Sequence, residues 1–261
     1  MAYEQLPVQS RGTGYGEEAE NELIFETSRT QSPTLRSTAV SRYFDDVYYS
    51  INFGRSGTLL APLRRLFRRG ANDDVARCCD IVSTVEPTSV LDLGCGTGVV
   101  LAAIGAQHRL TRATGVDVSA VSLARARSRL PNARVFEFEH ADMRTSKALA
   151  GSYDVVLSIG MFDYALFERC MLDAMLTAAR KVLVVTLPRR RVGMQRLARV
   201  AWLASNGVRL QSYSTSFVEG LCRTPQHADW DFCVQCGPRA DDIWIIATRK
   251  TRDGAARGDR E

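Results

Sequence analysis

Lysine is nearly absent from this 261-residue chain. Of 34 basic residues only Lys147, Lys181 and Lys250 are lysines, which leaves 34 − 3 = 31 arginines. They are spread along the whole chain, as a GC-rich coding bias would spread them, so the net charge of +5 names no partner. No apolar run reaches the roughly 18 residues needed to span a bilayer. The start, Met1-Ala2-Tyr3-Glu4, also lacks the basic segment and apolar stretch of a secretory leader. A cytoplasmic location without membrane attachment is expected. Seven cysteines, an odd number in a chain without such a leader, read as reduced thiols rather than a disulfide framework. No internal repeat is present.

With 45% hydrophobic and 24% charged residues the composition is that of an ordinary globular protein. The length suits one to two domains, with ample chain for a core. Residues 1–30 carry six glutamates against Arg11 and Arg29 and few aliphatics, so a flexible arm is expected there. Across 31–85 the apolar positions Val40, Tyr43, Phe44, Val47 and Tyr48, then Leu59, Leu60, Leu63, Leu66 and Phe67, recur at helical spacing and predict a helical cap. Residues 251–261 have no apolar face and should be a disordered tail.

Between them the pattern alternates. Strands are predicted at 89–93, 113–116, 134–138, 153–159 and 181–187, with helices at 99–106, 120–130 and 166–180. Near-continuous apolar strands such as Val182-Leu183-Val184-Val185 suit a parallel sheet buried on both faces, and the alternation gives a doubly wound α/β domain over 86–250. A helix at 194–204, a capping box Ser216-Phe217-Val218-Glu219 and two further strands at 230–236 and 243–248 complete it.

The strongest signal is Val90-Leu91-Asp92-Leu93-Gly94-Cys95-Gly96-Thr97-Gly98, an apolar strand running into an apolar helix. Three alternate glycines let the backbone turn tightly and let a ligand lie against it, at the strand edge where open α/β sheets bind ligands. Asp92 sharpens the reading. A carboxylate here repels a pyrophosphate but attracts the amino group of a methionine moiety beside a sulfonium. Asp117 falls 19 residues after Gly98, close to the spacing of about 20 at which an acid reaches ribose hydroxyls. In His140-Ala141-Asp142-Met143 a carboxylate is placed to accept from an adenine amino group. Taken singly, Asp117 and Asp142 also suit helix or turn caps.

These residues resemble the Rossmann-like class I methyltransferases that use S-adenosylmethionine, over roughly residues 86–250. The resemblance implies a seven-stranded sheet whose last strand is antiparallel. It implies Asp92, Gly94, Cys95, Gly96 and Gly98 around the methionine part, Asp117 with Val118 at the ribose, and Asp142 with Met143 at the adenine. Ser158 joins them at the tip of the fourth strand. Ser158-Ile159-Gly160-Met161-Phe162-Asp163-Tyr164 is similar to a Gly-x-Phe-Asp-Tyr variant of small bacterial members.

Absences then narrow the acceptor. Amino-group enzymes of the family carry an Asn/Asp-Pro-Pro-aromatic tetrad after the fourth strand, and this chain has no such prolines. Cytosine-C5 enzymes use a Pro-Cys pair, and no cysteine here follows a proline. The acidic cluster of the catechol type is missing, so no magnesium or other metal is expected. The expected acceptor is therefore an oxygen or nitrogen of a small, biosynthetic molecule. Tyr43, Phe44, Tyr48 and Tyr49 of the cap are candidates to line its pocket. His227 is the first general-base candidate and His140 the second, with Asp163 and Tyr164 next.

Cys222, His227, Cys233 and Cys236 resemble a zinc set, but Cys233 and Cys236 stand three apart in a predicted strand and face opposite sides. Arg64, Arg65, Arg68 and Arg69, with Arg189, Arg190, Arg191, Arg196 and Arg199, motivate a rival: methylation of RNA or of an acidic protein. A solvated helix face explains them equally. A non-catalytic binding partner is the third alternative, against which the intact glycine turn and acids speak.

Overall fold

A computed structural model describes residues 33–48, 71–189, 194–237 and 242–250. The expected arm and tail lie outside the described residues, as do residues 49–70 of the cap. The chain divides into compact units at residues 1–36 and 37–261. All the elements that build the site belong to the second.

The first described helix, α1 (Pro33–Arg42), continues into a single π-helical turn, Tyr43–Tyr48, and α2 (Ala71–Ser83) follows. Then come β1 (Ser89–Leu93), α3 (Val99–Gln107), β2 (Arg112–Asp117), α4 (Ala120–Arg129), β3 (Phe136–His140), β4 (Tyr153–Ser158), α5 (Arg169–Ala178) and β5 (Ala179–Pro188). The chain closes with α6 (Met194–Ser205), α7 (Thr215–Cys222), β6 (Trp230–Cys236) and β7 (Asp242–Arg249).

The strands form one sheet in the order β3-β2-β1-β4-β5-β7-β6. The first five are parallel, β7 lies antiparallel to β5, and β6 antiparallel to β7. Strand order reverses between β1 and β4, which opens a crevice at the carboxyl edge of the sheet. Alternate strand residues feed two cores. Val90, Ala113, Val155 and Val184 pack under α2, α3 and α4, whereas Leu91, Val116, Val156 and Leu183 pack under α5 and α7. Both faces are covered, which accounts for the uninterrupted apolar strands.

Three of the differences from the sequence reading have a visible cause. β3 starts at Phe136 rather than 134 because Val135 and Phe136 donate to the Asn132 carbonyl and hold the preceding residues in a turn. α5 starts at Arg169 rather than 166, since the Phe167 N–H donates to the Tyr213 hydroxyl at 2.8 Å. The cap of α7 is Ser214, whose hydroxyl accepts from Phe217 N–H at 3.2 Å, and not Ser216.

Candidate active site

Gly94, Gly96 and Gly98 all adopt left-handed backbone, with φ of 78°, 53° and 71°. L side chains rarely adopt this region, so the turn is written in glycine. Gly94 and Cys95 N–H both donate to the Val116 carbonyl, at 2.8 and 3.1 Å, which ties the turn to β2. A Cβ at Gly94 would overlap the Met161 side chain, whereas one at Gly96 would meet nothing within 4 Å. The turn is therefore roofed by Met161 at one end and open at its middle. Arg129, in the last turn of α4, donates to the Thr97 carbonyl and, at 2.9 Å, to its hydroxyl. Cys95 is buried, and burial pushes its thiol up. A Cβ on Gly115 would stand 2.7 Å from the Cys95 sulfur, so this side chain packs on β2 and only its backbone belongs to the turn's outer surface.

Asp92 is 1% exposed, and among the described residues its Oδ2 has no hydrogen-bond partner. Burial first, and then the charge of Asp117, push its carboxyl up to about 7. A lone buried carboxylate oxygen is costly unless a ligand completes it. Asp117 is differently placed. Its Oδ2 accepts from Gly96 N–H and its Oδ1 from Ser119 N–H, each at 2.8 Å, so it braces the glycine turn. Burial raises its pKa while these two N–H groups oppose the rise. Each oxygen keeps a lone pair for a further donor. Asp142 caps the following turn through Arg144 N–H at 3.0 Å and holds the Arg144 guanidinium at 3.0 and 2.6 Å. It thus serves as the cap that its residue type also allowed. Met143 is buried in the core beside it.

His140 and Ser158 stand at the expected edge but are engaged with backbone. His140 Nε2–H donates to the Val118 carbonyl at 2.9 Å, and the Ser158 hydroxyl donates to the Leu93 carbonyl at 3.0 Å. Both hold strand tips together, His140 keeping Nδ1 and Ser158 its oxygen lone pairs beyond these bonds.

The cap meets this edge through residues that the sequence reading did not single out. Ser41 Oγ–H donates to the Val118 carbonyl at 2.8 Å. Asp45 Oδ1 accepts from the Ser119 hydroxyl at 2.5 Å and from Val121 N–H at 3.3 Å, which places a carboxylate at the start of α4, where the helix dipole favours it. Tyr43 is buried with Leu203 and Val208. It is therefore interior rather than lining. Phe44 meets the Tyr164 ring edge-on at 5.1 Å. The Tyr48 side chain and Tyr49 lie outside the described residues.

Asp163 ends and Tyr164 caps the 3-10 turn Met161–Asp163, which Gly160 enters at φ 75° with its N–H on Thr186 Oγ1 at 2.7 Å. Both face Arg199 of α6, whose Nη2 donates to Asp163 Oδ2 at 2.7 Å and to the Tyr164 hydroxyl at 3.1 Å. Burial lifts the Tyr164 phenol above its ordinary range, so it serves as a neutral hydroxyl. Of the arginines read as a basic face, Arg199 is turned inward; the side chains of Arg190, Arg191 and Arg196 and all of 64–69 lie outside the described residues.

His227 requires a full correction. Trp230 pairs with Arg249, and the neighbouring Thr248 pairs with Val182 near the start of β5. Residues just before β6 therefore sit at the amino edge of the sheet, opposite the glycine turn. There His227 is 5% exposed and bonded through Nε2 to Asp173 Oδ1 at 2.6 Å, with Nδ1 3.3 Å from the Cys222 carbonyl. It fastens α7 to α5. Cys233 and Cys236 are exposed on β6 and Cys222 is buried. Among the described residues no group of three His, Cys, Asp or Glu side chains could hold a metal ion.

Residues 90–185 match the family model described as a methyltransferase domain. An uncharacterized methyltransferase of Mycobacterium tuberculosis is 32% identical over 120 residues, 44% of this chain, and a counterpart in Mycobacterium bovis matches equally. The chain spans 58% of the length of these relatives. Among solved structures, a plantazolicin methyltransferase in complex with a triazolic desmethylplantazolicin analogue and S-adenosylhomocysteine has a TM-score of 0.62 at 16% identity, covering 90% of this chain and 100% of that one. A magnesium protoporphyrin IX methyltransferase from Synechocystis with S-adenosylhomocysteine bound has a TM-score of 0.59 at 16% identity, covering 82% and 100%. The reversed strand order, the antiparallel closing hairpin and the left-handed glycine turn give this chain the Rossmann-like fold of these methyltransferases, and its residues 90–185 match a methyltransferase domain.

Proposed function

We propose that the chain transfers the methyl group of S-adenosylmethionine to an oxygen or nitrogen of a small biosynthetic molecule. The observation that carries the reading is the unpaired, buried Asp92 oxygen beneath an open glycine turn, beside Asp117. Those groups fit a donor whose amino group and sulfonium are positive and whose ribose offers hydroxyls. When bound, the donor supplies a methyl group activated by the sulfonium. Asp92 takes the ammonium, Asp117 the ribose hydroxyls with its remaining lone pairs, and Asp142 shares its carboxylate between Arg144 and the adenine amino group. The backbone of Cys95 and Gly98, with Val118 and Met143, frames the same crevice. Two solved methyltransferases of the same fold hold S-adenosylhomocysteine, which supports a donor of this class.

Direct in-line transfer asks chiefly for alignment, which is worth roughly 7–11 kcal/mol. Asp163 is the group we assign to proton removal from the acceptor, with Tyr164 orienting it. The protein acts in the cytoplasm, where its seven free cysteines stay reduced. No helix among the described residues is long and apolar enough to cross a membrane.

Asp117→Ala should weaken S-adenosylhomocysteine binding by calorimetry by at least about 100-fold, the loss of two or more hydrogen bonds to a charged group, with an unchanged far-UV spectrum. Unaltered affinity removes the ribose assignment. Methyl acceptance by a metabolite extract should survive nuclease and protease digestion; its loss would favour an RNA or protein acceptor.

A further inference from the structure

Two hydrogen-bond donors on α6 have no partner among the described residues although both are buried: Arg199 Nε and Trp202 Nε1. Three positions apart on one helix, they lie on the same face. Thr224 Oγ1 and Trp244 Nε1 are also unpaired, but each stands alone, one at the amino edge of the sheet and the other within β7. Buried donors are almost always satisfied in folded proteins, so two unsatisfied donors on one face of a helix call for a cause.

The surroundings indicate what that cause is. Arg199 uses its Nη2 on Asp163 and Tyr164, which fixes the guanidinium plane and leaves the Nε side. Its side chain keeps 30% exposure although Nε itself is buried, so the guanidinium lies at the rim of the packed region with Nε turned inward. Asp163 and Tyr164 lie just past Met161, the residue that roofs Gly94. The pair thus sits on the acceptor side of the glycine turn. Phe44, Tyr164 and Trp202 are partly buried and pack against the same cluster of Tyr43, Leu203 and Val208, so the donors have flat aromatic side chains beside them.

We propose that Arg199 and Trp202 form the recognition site for a carboxylate on the methyl acceptor, and that the acceptor is an aromatic or similarly flat carboxylic acid. An anionic oxygen accepts from Arg199 Nε–H and Trp202 Nε1–H together, and the flat body lies against Phe44 and Tyr164. Asp163 offsets part of the guanidinium charge and disfavours phosphate, whose two negative charges would face it; a single carboxylate suits the remaining field. The role given to Arg199 rests on the methyltransferase reading, since that reading defines which side is the acceptor side.

The indole Nε1–H of Trp202 reports on the site directly. The chain has three tryptophans, so a 15N-labelled sample gives three indole signals, and Trp202→Phe identifies one of them. The sample is saturated with S-adenosylhomocysteine and titrated with 4-hydroxyphenylacetate, 4-hydroxybenzoate and indole-3-acetate, each beside its amide. The acids should move the Trp202 signal downfield and the amides should leave it in place. Arg199→Gln should weaken the response about tenfold or more, and Arg199→Lys should restore little of it, because lysine cannot present Nε in the guanidinium plane. A Trp202 signal unmoved by every acid, or moved alike by acids and amides, overturns the carboxylate site. Absence of S-adenosylhomocysteine binding in the parent protein, measured separately by calorimetry, overturns instead the reading on which it rests.

Discussion

The two edges of the sheet are built on opposite principles. At the carboxyl edge Asp92 is buried with an unpaired oxygen, Asp117 sits close enough to raise it, and three glycines are held in left-handed backbone. At the amino edge Asp154 is almost as buried, yet its carboxylate accepts from Thr88 N–H and hydroxyl, both at 2.8 Å, and from Arg180 at 2.9 Å, with Lys181 at 3.8 Å. Burial alone would raise the Asp154 pKa; Thr88 and the two cations hold it below the usual carboxylate range. Two acids in neighbouring strands thus carry opposite shifts. The difference separates an edge whose buried acid is fully paired from one whose buried acid is left unpaired.

The contrast is sharpest at Asp92. A carboxyl raised from the usual 3.8 to about 7 costs the folded state stability as pH rises between those values, and the cost is complete above the higher one. Asp92→Asn should therefore stabilise the ligand-free protein near pH 8, by up to about 4 kcal/mol at about 1.4 kcal/mol per pH unit, while cutting S-adenosylhomocysteine affinity. Denaturant melts and calorimetry on one sample decide it. A variant that is less stable yet binds normally would make Asp92 a structural acid and erase the contrast.

Asp154→Asn should do the reverse. The lowered pKa means that stability is present above the unfolded value, near pH 4, and is lost as pH falls through the folded one. Loss of about 1–3 kcal/mol is expected at neutral pH, with a flatter acid limb in pH-dependent melts and unchanged cofactor affinity. A matching fall in affinity would mean that the edges are not independent.

The smallest effect belongs to His227. His227→Gln removes the bond to Asp173 across α5 and α7 and should cost about 1 kcal/mol in a urea melt, with kcat untouched. A large fall in kcat without a change in stability would return His227 to the reaction.

Much of this architecture is legible in the residues alone, and the exceptions have physical causes. The buried strand Ser89–Leu93 and the strand Trp230–Cys236 fall where apolar runs and turn residues put them. Asp92 and Asp117 are legible because the glycine turn fixes their distance along the chain. His227 misled because a loop histidine carries no sign of which edge it occupies; only the antiparallel pairing of β6 with β7 assigns it to the far one. Ser214 lost to Ser216 because Ser212, Ser214, Thr215 and Ser216 offer neighbouring hydroxyls, any of which can cap. Arg199 was hidden among many arginines, although Trp202 and Leu203 beside it hinted at an inward face. Asp45 and Ser41 form contacts more than seventy residues away, and no local pattern announces such pairs.

The central claim, that Asp92 waits for a positively charged adenosine-bearing ligand, is tested most directly by calorimetric titration with S-adenosylhomocysteine from about pH 6 to about pH 8, in buffers of different ionisation enthalpy. The account predicts binding that tightens up to about tenfold per unit as pH rises toward 7 and then levels off, with nearly one proton released at the acid end. Binding that is independent of pH, with no proton released, or heat from nicotinamide dinucleotide in its place, would contradict it.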